Sequence, residues 1–173
     1  MSTPEGYEIR LSDPRAADLA PLFAAHVAHG AAHYPSESNH ELSADDLFGT
    51  SAAFFVAREV ETGEPVGMAA LVALSSDAAE LKSMHVLPVA RGSGLASALM
   101  QAVLFEAQCQ SFENIWLETG SRDASAAARR LYARHGFELC PPFGAYVEDP
   151  ESVFMTLALT RSSQSATPPI ATP

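Results

Sequence analysis

Long apolar runs, basic clusters and paired cysteines are what this 173-residue chain has least of. No stretch approaches the roughly 20 apolar residues of a membrane helix. Met1 to Glu5 lacks the basic start and apolar stretch of a secretory signal, so the cytoplasm is the expected compartment. Cys109 and Cys140 stand at no metal or redox spacing, and two reduced thiols suit a cytosolic protein. Only 10 Lys and Arg stand against 21 Asp and Glu, a net charge of −11. Such a surface does not grip nucleic acid through its phosphates, and it draws cationic partners. No lysine follows a glycine-rich loop, which excludes a P-loop, and no third glycine completes a dinucleotide G-x-G-x-x-G.

What the chain does have is apolar content, 47% of its residues, enough for one domain with a sizeable core. That domain is expected over residues 1–160. The Ser, Thr, Pro and Gln of 161–173 predict a disordered tail. Strand character appears at Tyr7 to Leu11, Ala53 to Ala57, Val66 to Leu74 and Glu80 to Val86, the middle two joined by a turn at Glu61-Thr62-Gly63-Glu64. The last three make an antiparallel meander. After a helical crossover, Asn114 to Thr119 should lie parallel to the Glu80 strand, and Phe137 to Leu139 and Val153 to Leu159 complete a sheet of six to seven strands. Helices are expected at Ala16 to Gly30, from a Ser43 cap to Phe48, from Leu95 onward, and at Ala124 to His135 with Gly136 as the stop. The class is mixed α/β (α+β), with helices on both faces of a mostly antiparallel sheet.

The organising stretch is Ala79 to Ala107, which reads strand, glycine turn, helix. Gly92 and Gly94 allow positive φ and a close approach of backbone to ligand. The helix behind them begins with unpaired N–H groups and a partial positive charge, so an anion fits there, a diphosphate above all. Leu95, Ala98, Leu99, Ala102, Val103 and Phe105 are expected to form the face laid on the sheet, with Glu106 intruding on it. Elsewhere, His26, His29 and His33 recur at helical spacing, with His40 beyond. No carboxylate or cysteine completes a ligand set with them, and no metal is expected.

Val86-x-Pro88-x-x-Arg91-Gly92-x-Gly94-x-Ala96 resembles the acyl-CoA pyrophosphate loop, [Q/R]-x-x-G-x-[G/A], of the GNAT superfamily of N-acyltransferases. Leu131-Tyr132-x-x-x-Gly136-Phe137 resembles that superfamily's second signature. The similarity spans roughly residues 5 to 160. It implies that the fourth and fifth strands splay and that the pantetheine arm of acetyl-CoA, the expected co-substrate, enters the gap against Met84, His85 and Val86. Arg91, Gly92, Ser93, Gly94, Leu95 and Ala96 would hold the diphosphate. Many members carry Asn seven residues before the tyrosine; here Ser125 stands there, still able to bond the cofactor arm.

Acyl transfer from a thioester to an amine needs a bound donor, a neutral amine and a proton for the departing thiolate. The resemblance assigns that proton to Tyr132 and suggests Glu80 as base. Simple alternation puts Glu80, Lys82, Met84 and Val86 on one face and His85 on the other. Lys82 then also offers Glu80 a structural ion pair. His85, on the opposite face, ranks below Glu80 as a base, and Glu118 is a third candidate and, with His33 and Tyr146, a residue expected to meet the acceptor. The expected partner is a small primary amine, with no nucleic acid and no membrane, and the resemblance leaves room for a homodimer. The other readings are acetylation of a protein α-amine or lysine, and a non-catalytic acyl-CoA-binding sensor.

Overall fold

The computed structural model describes residues 3–38 and 40–159; the expected disordered tail, 161–173, lies outside them. Seven strands form one sheet: β1 (Tyr7–Leu11), β2 (Ser51–Glu59), β3 (Pro65–Ala73), β4 (Ala78–Val86), β5 (Asn114–Gly120), β6 (Glu138–Cys140) and β7 (Ser152–Ala158). Their order is β1-β2-β3-β4-β5-β7-β6. Every neighbouring pair is antiparallel except β4 and β5. Helices α1 (Ala20–His33) and α2 (Ala44–Thr50) precede β2, α3 (Leu95–Cys109) joins β4 to β5, and α4 (Ala126–Arg134) joins β5 to β6. The expected cap of α2 forms reciprocally. Ser43 Oγ accepts from the Asp46 N–H at 3.1 Å, and Asp46 Oδ2 accepts from the Ser43 N–H at 3.1 Å.

The continuous apolar run of β2 is explained by burial on both faces. Ala53, Phe55 and Ala57 turn to a core that includes Leu95, Leu99 and Val103 of α3, while Phe54 and Val56 join Leu22 of α1 and Leu47 of α2. The apolar face of α3 is partly as expected. Leu95, Ala98, Leu99 and Val103 are buried, joined by Met100 and Ala107, but Phe105 is 53% exposed. At 100° per residue Phe105 lies about 200° from Val103, so it cannot share that stripe. Glu106, at the stripe's edge, accepts from Gln110 Nε2 at 2.7 Å.

Two departures from a regular sheet shape the molecule. In the first, β4 carries a bulge against β3: Ala70 pairs with Lys82 but Met68 with His85, so one extra residue sits on β4. Ser83 takes φ +52 there, a left-handed conformation uncommon outside glycine. The bulge resets the alternation. Glu80, Lys82 and His85 stand opposite Val72, Ala70 and Met68, which face α1 and α2, while Val86 joins Ala79 and Leu81 on the α3 side. The expected separation of His85 from Glu80 is therefore overturned: the two share a face.

In the second, β4 and β5 pair only through Ala78–Asn114, Ala79–Ile115 and Glu80–Trp116. Beyond that, β4 stays with β3 as far as Val86 and β5 stays with β7 as far as Gly120. The two central strands thus part, and a wedge opens in the middle of the sheet.

Leu99 is fully buried, and its Cδ1 would lie 3.1 Å from a Cβ built on Gly67. Leu99→Ala should therefore cost about 3 kcal/mol, read as a lowered urea midpoint with an unchanged slope.

Candidate active site

The turn between β4 and α3 is built to leave backbone donors open. Gly92 and Gly94 take φ +80 and +89. A Cβ at Gly92 would meet nothing within 4 Å, so conformation rather than crowding demands glycine there. Arg91 Nε donates to the Val86 carbonyl at 3.0 Å, tying the turn to the end of β4. Ser93 Oγ donates to the Ala90 carbonyl at 2.7 Å and accepts from the Leu95 N–H at 3.3 Å. The first helical bond runs from the Ala98 N–H to the Gly94 carbonyl at 3.1 Å. The N–H groups of Ala96 and Ser97 have no intrahelical acceptor and stand at the positive end of the helix.

From this turn a cavity of about 670 Å³ runs along Ser83 to Val86, through the wedge between β4 and β5, to Ser125, just before α4, and Tyr132 within it. Its far end is walled by His26, His29 and Tyr34, by Glu80, Lys82 and His85, and by Glu118. The turn, the tyrosine and the candidate bases thus open into one space.

Tyr132 is 5% exposed. Burial, and secondarily the carboxylate of Glu118, pushes its phenol above the usual range, so it keeps its proton at any working pH. Its ring packs 6.1 Å from that of Phe137.

Glu80 is engaged rather than free. Its Oε1 accepts from Lys82 Nζ at 3.2 Å and from the Tyr146 hydroxyl at 2.6 Å, and Lys82 Nζ also donates to the Tyr146 hydroxyl at 2.7 Å. Tyr146 reaches this triangle from the loop before β7, with the ring of Phe143 edge-on to it at 5.0 Å and that of Phe154, on β7, tilted against it at 5.5 Å. Glu118, one strand away, has a different setting: Ser152 Oγ donates to it at 2.7 Å, and burial still holds its carboxyl above the usual carboxylate range.

His85 is 7% exposed, its ring 5.2 Å from that of His26 and 6.1 Å from that of His29. Burial first, then the neighbouring histidines and Arg91, lower His85 to about 4; burial first, then His29 and Lys82, does the same for His26. Both are neutral imidazoles at pH 7. Among the described residues no group of three His, Cys, Asp or Glu side chains is placed to hold a metal. His33, expected to meet the acceptor, is exposed and off the cavity wall. It follows on the same side of α1, its ring 4.8 Å from that of His29, but one turn beyond the last histidine that lines the cavity.

Several site residues were not signalled by any motif. Tyr34, just past α1, crosses to α4 and shares a 2.7 Å hydrogen bond with Ser125 Oγ. A Cβ on Gly120 would overlap the Tyr34 ring, so glycine there makes the crossing possible. Arg122 reinforces it by donating to the His33 carbonyl at 2.8 Å and to both oxygens of Glu151 at 2.6 and 2.7 Å. Together these contacts fix Tyr34, Gly120, Ser125 and Glu151 in the cavity wall. The G-S-R run Gly120-Ser121-Arg122 carries no recognisable signature by itself.

Comparison with known proteins places this geometry in company. Residues 19–137 match the Acetyltransferase (GNAT) family. An uncharacterised N-acetyltransferase, YsnE, of Bacillus subtilis is 35% identical over 87% of this chain and 99% of its own length. The IAA acetyltransferase of Azospirillum brasilense is 38% identical over 70% of this chain and 78% of its own. Among solved structures, a Klebsiella pneumoniae protein provisionally assigned as an acyl-CoA N-acyltransferase superposes with a TM-score of 0.73 at 28% identity, covering 89% of this chain and 98% of that one. The yncA protein of Salmonella typhimurium, solved with its cofactor acetyl-CoA, shares the fold with a TM-score of 0.66 at 22% identity, covering 96% and 100%.

Gly120→Ala should lower stability by about 1–2 kcal/mol, since Tyr34 must leave its place. In a Tyr34→Ala background the same change should cost almost nothing, a non-additivity that a double-mutant cycle reads directly. A histidine held below its free value of about 6.5 is stabilising when neutral, and that stability is lost as pH falls from 6.5 toward 4. Urea unfolding between pH 7 and 4.5 should accordingly show a shallower decline for His85→Asn than for the native chain.

Proposed function

The chain belongs to the GNAT acetyltransferase family, and on that premise we propose that it moves an acetyl group from acetyl-CoA to the primary amine of a small molecule. The observation that carries this reading is the single cavity joining the Gly92–Gly94 turn to Tyr132 through the gap between β4 and β5. A diphosphate at the mouth of α3, received by the turn's N–H groups and Arg91, leaves the pantetheine arm only the wedge to follow. Met84, His85 and Val86 then line its path, and Ser125 borders it from α4. The Tyr34–Ser125 bond and the Arg122–Glu151 pair tie the segments around the acceptor end to one another, and a rim braced in this way suits a small acceptor better than a protein chain.

The amine attacks the acyl carbon, a C–N bond forms, and the C–S bond breaks. Tyr132 gives its proton to the departing thiolate. Burial that keeps the phenol protonated disfavours a bare thiolate beside it in the same way, so the transfer is matched to its surroundings. Glu118 first takes a proton from the bound ammonium and passes it to solvent, leaving the neutral amine; the proton the nitrogen sheds after attack leaves by the same route, and one proton from solvent restores Tyr132. Glu80, the residue first expected to act as base, instead holds Lys82 and Tyr146 in place through its Oε1. Backbone N–H groups around the bulge at Ser83 to Val86 receive the developing oxyanion.

A thiol-release assay across a library of amines, run beside isothermal titration with acetyl-CoA, tests the function. Release with at least one amine is expected; binding without release from any would make the protein a sensor. Tyr132→Phe should lower kcat about 100-fold with acetyl-CoA affinity nearly unchanged, and full turnover would remove the assignment. Activity should fall as pH drops through the raised value of Glu118. In Glu118→Gln that acidic limb should vanish along with most of kcat, whereas Glu80→Gln should keep the limb and lose thermal stability.

A further inference from the structure

Lys82 is the only lysine in the chain. In a protein of net charge −11, where cations are scarce and surface places for them abundant, this one lies in the cavity wall with its side chain 12% exposed. Burying an ammonium is costly unless its partners repay it. Of its three N–H donors, one goes to Glu80 Oε1 at 3.2 Å and one to the Tyr146 hydroxyl at 2.7 Å. The third meets no acceptor among the described residues. Lys82 also stands where the main cavity meets a second one of about 400 Å³, shared through His40, Glu41 and Lys82 and continued by Leu42, Tyr146 and Val147.

The opposite charge is on offer nearby. Glu118 and Glu41 both line the main cavity, and neither forms an ion pair with a cationic side chain among the described residues. The acceptor end therefore presents one N–H donor of a buried ammonium on β4 and uncompensated carboxylates across from it. A zwitterion matches that arrangement; a simple amine satisfies half of it.

Resting on the N-acetyltransferase reading above, we infer that Lys82 receives a carboxylate of the acceptor, which is an α-amino acid whose side chain enters the second cavity. Its ammonium lies toward Glu118, and its carboxylate completes the coordination of Lys82 Nζ. Glu37, Glu41 and Asp149 around the second cavity repel an acidic side chain, so the acceptor's side chain is neutral or basic. Asp149 is itself held in the loop, accepting from the Glu151 N–H at 2.8 Å.

The test is thiol release from acetyl-CoA with amino acids, each set against the amine left when its carboxylate is removed: leucine against isopentylamine, phenylalanine against phenethylamine, lysine against cadaverine. The amino acid should be preferred in kcat/KM by roughly 10- to 100-fold, the size of one charge-assisted hydrogen bond. Lys82→Met should erase the preference, lowering kcat/KM for the amino acid, through KM, far more than for its matched amine, with acetyl-CoA affinity within about threefold; Lys82→Arg should restore part of the preference. Acetyl-CoA titration confirms that each variant is folded, and the native enzyme's own preference decides the matter if Lys82→Met is not. Matched amines used as well as the amino acids would overturn the inference and leave the N-acetyltransferase reading standing. Release from other amines of the library but from neither member of these pairs would overturn the inference alone, and no release from any amine, with acetyl-CoA still bound, would overturn the reading beneath it.

Discussion

The structure depends on a parallel pair of strands that stops pairing after three residues. Once Glu80 and Trp116 have met, β4 and β5 each keep their outer neighbour and lose one another. A sheet interior seldom leaves backbone edges unpaired, and here that opening leads from the mouth of α3 to the side chains of α4. The core beneath α3 takes side chains from both parted strands, Ala79, Leu81 and Val86 of β4 and Ile115 and Leu117 of β5, and so joins the two halves of the sheet below the wedge.

Around the wedge the charges are sorted. Arg91 and the N-terminus of α3 make one end positive, which suits a diphosphate. The other end collects carboxylates and neutral histidines around a single ammonium. Burial is the common cause of the perturbations there: it raises Tyr132 and Glu118 and lowers His26 and His85. A site that excludes water in this way strengthens every remaining electrostatic interaction within it.

Much of this was legible because it is local. The strand, glycine turn and helix at Ala79 to Ala107 announce themselves through spacing, and Tyr132 is fixed by its distance from a helix stop. Order and pairing of the meander followed from short turns. What stayed hidden is tertiary or a matter of one backbone angle. Nothing in Leu81-Lys82-Ser83-Met84 reveals that Ser83 adopts positive φ, yet that angle moves His85 to the face of Glu80. Tyr34 meets Gly120 and Ser125 only once α1 is docked, and no spacing rule links positions so far apart. Helical periodicity placed Phe105 on the core face where a strict angular count puts it outward, and it placed His33 with His26 and His29 although the cavity ends one turn before it. Glu80 and Lys82 were paired correctly by alternation; the third member, Tyr146, came from a loop whose path the sequence does not describe.

The most direct measurement of the account is a crystal structure with a non-transferable thioether analogue of acetyl-CoA. The account predicts diphosphate oxygens within hydrogen-bonding distance of the N–H groups from Gly92 to Ser97, the pantetheine arm between β4 and β5, and the sulfur about 3–4 Å from the Tyr132 hydroxyl. A diphosphate bound away from the turn, or a sulfur that leaves Tyr132 out of reach, would contradict it.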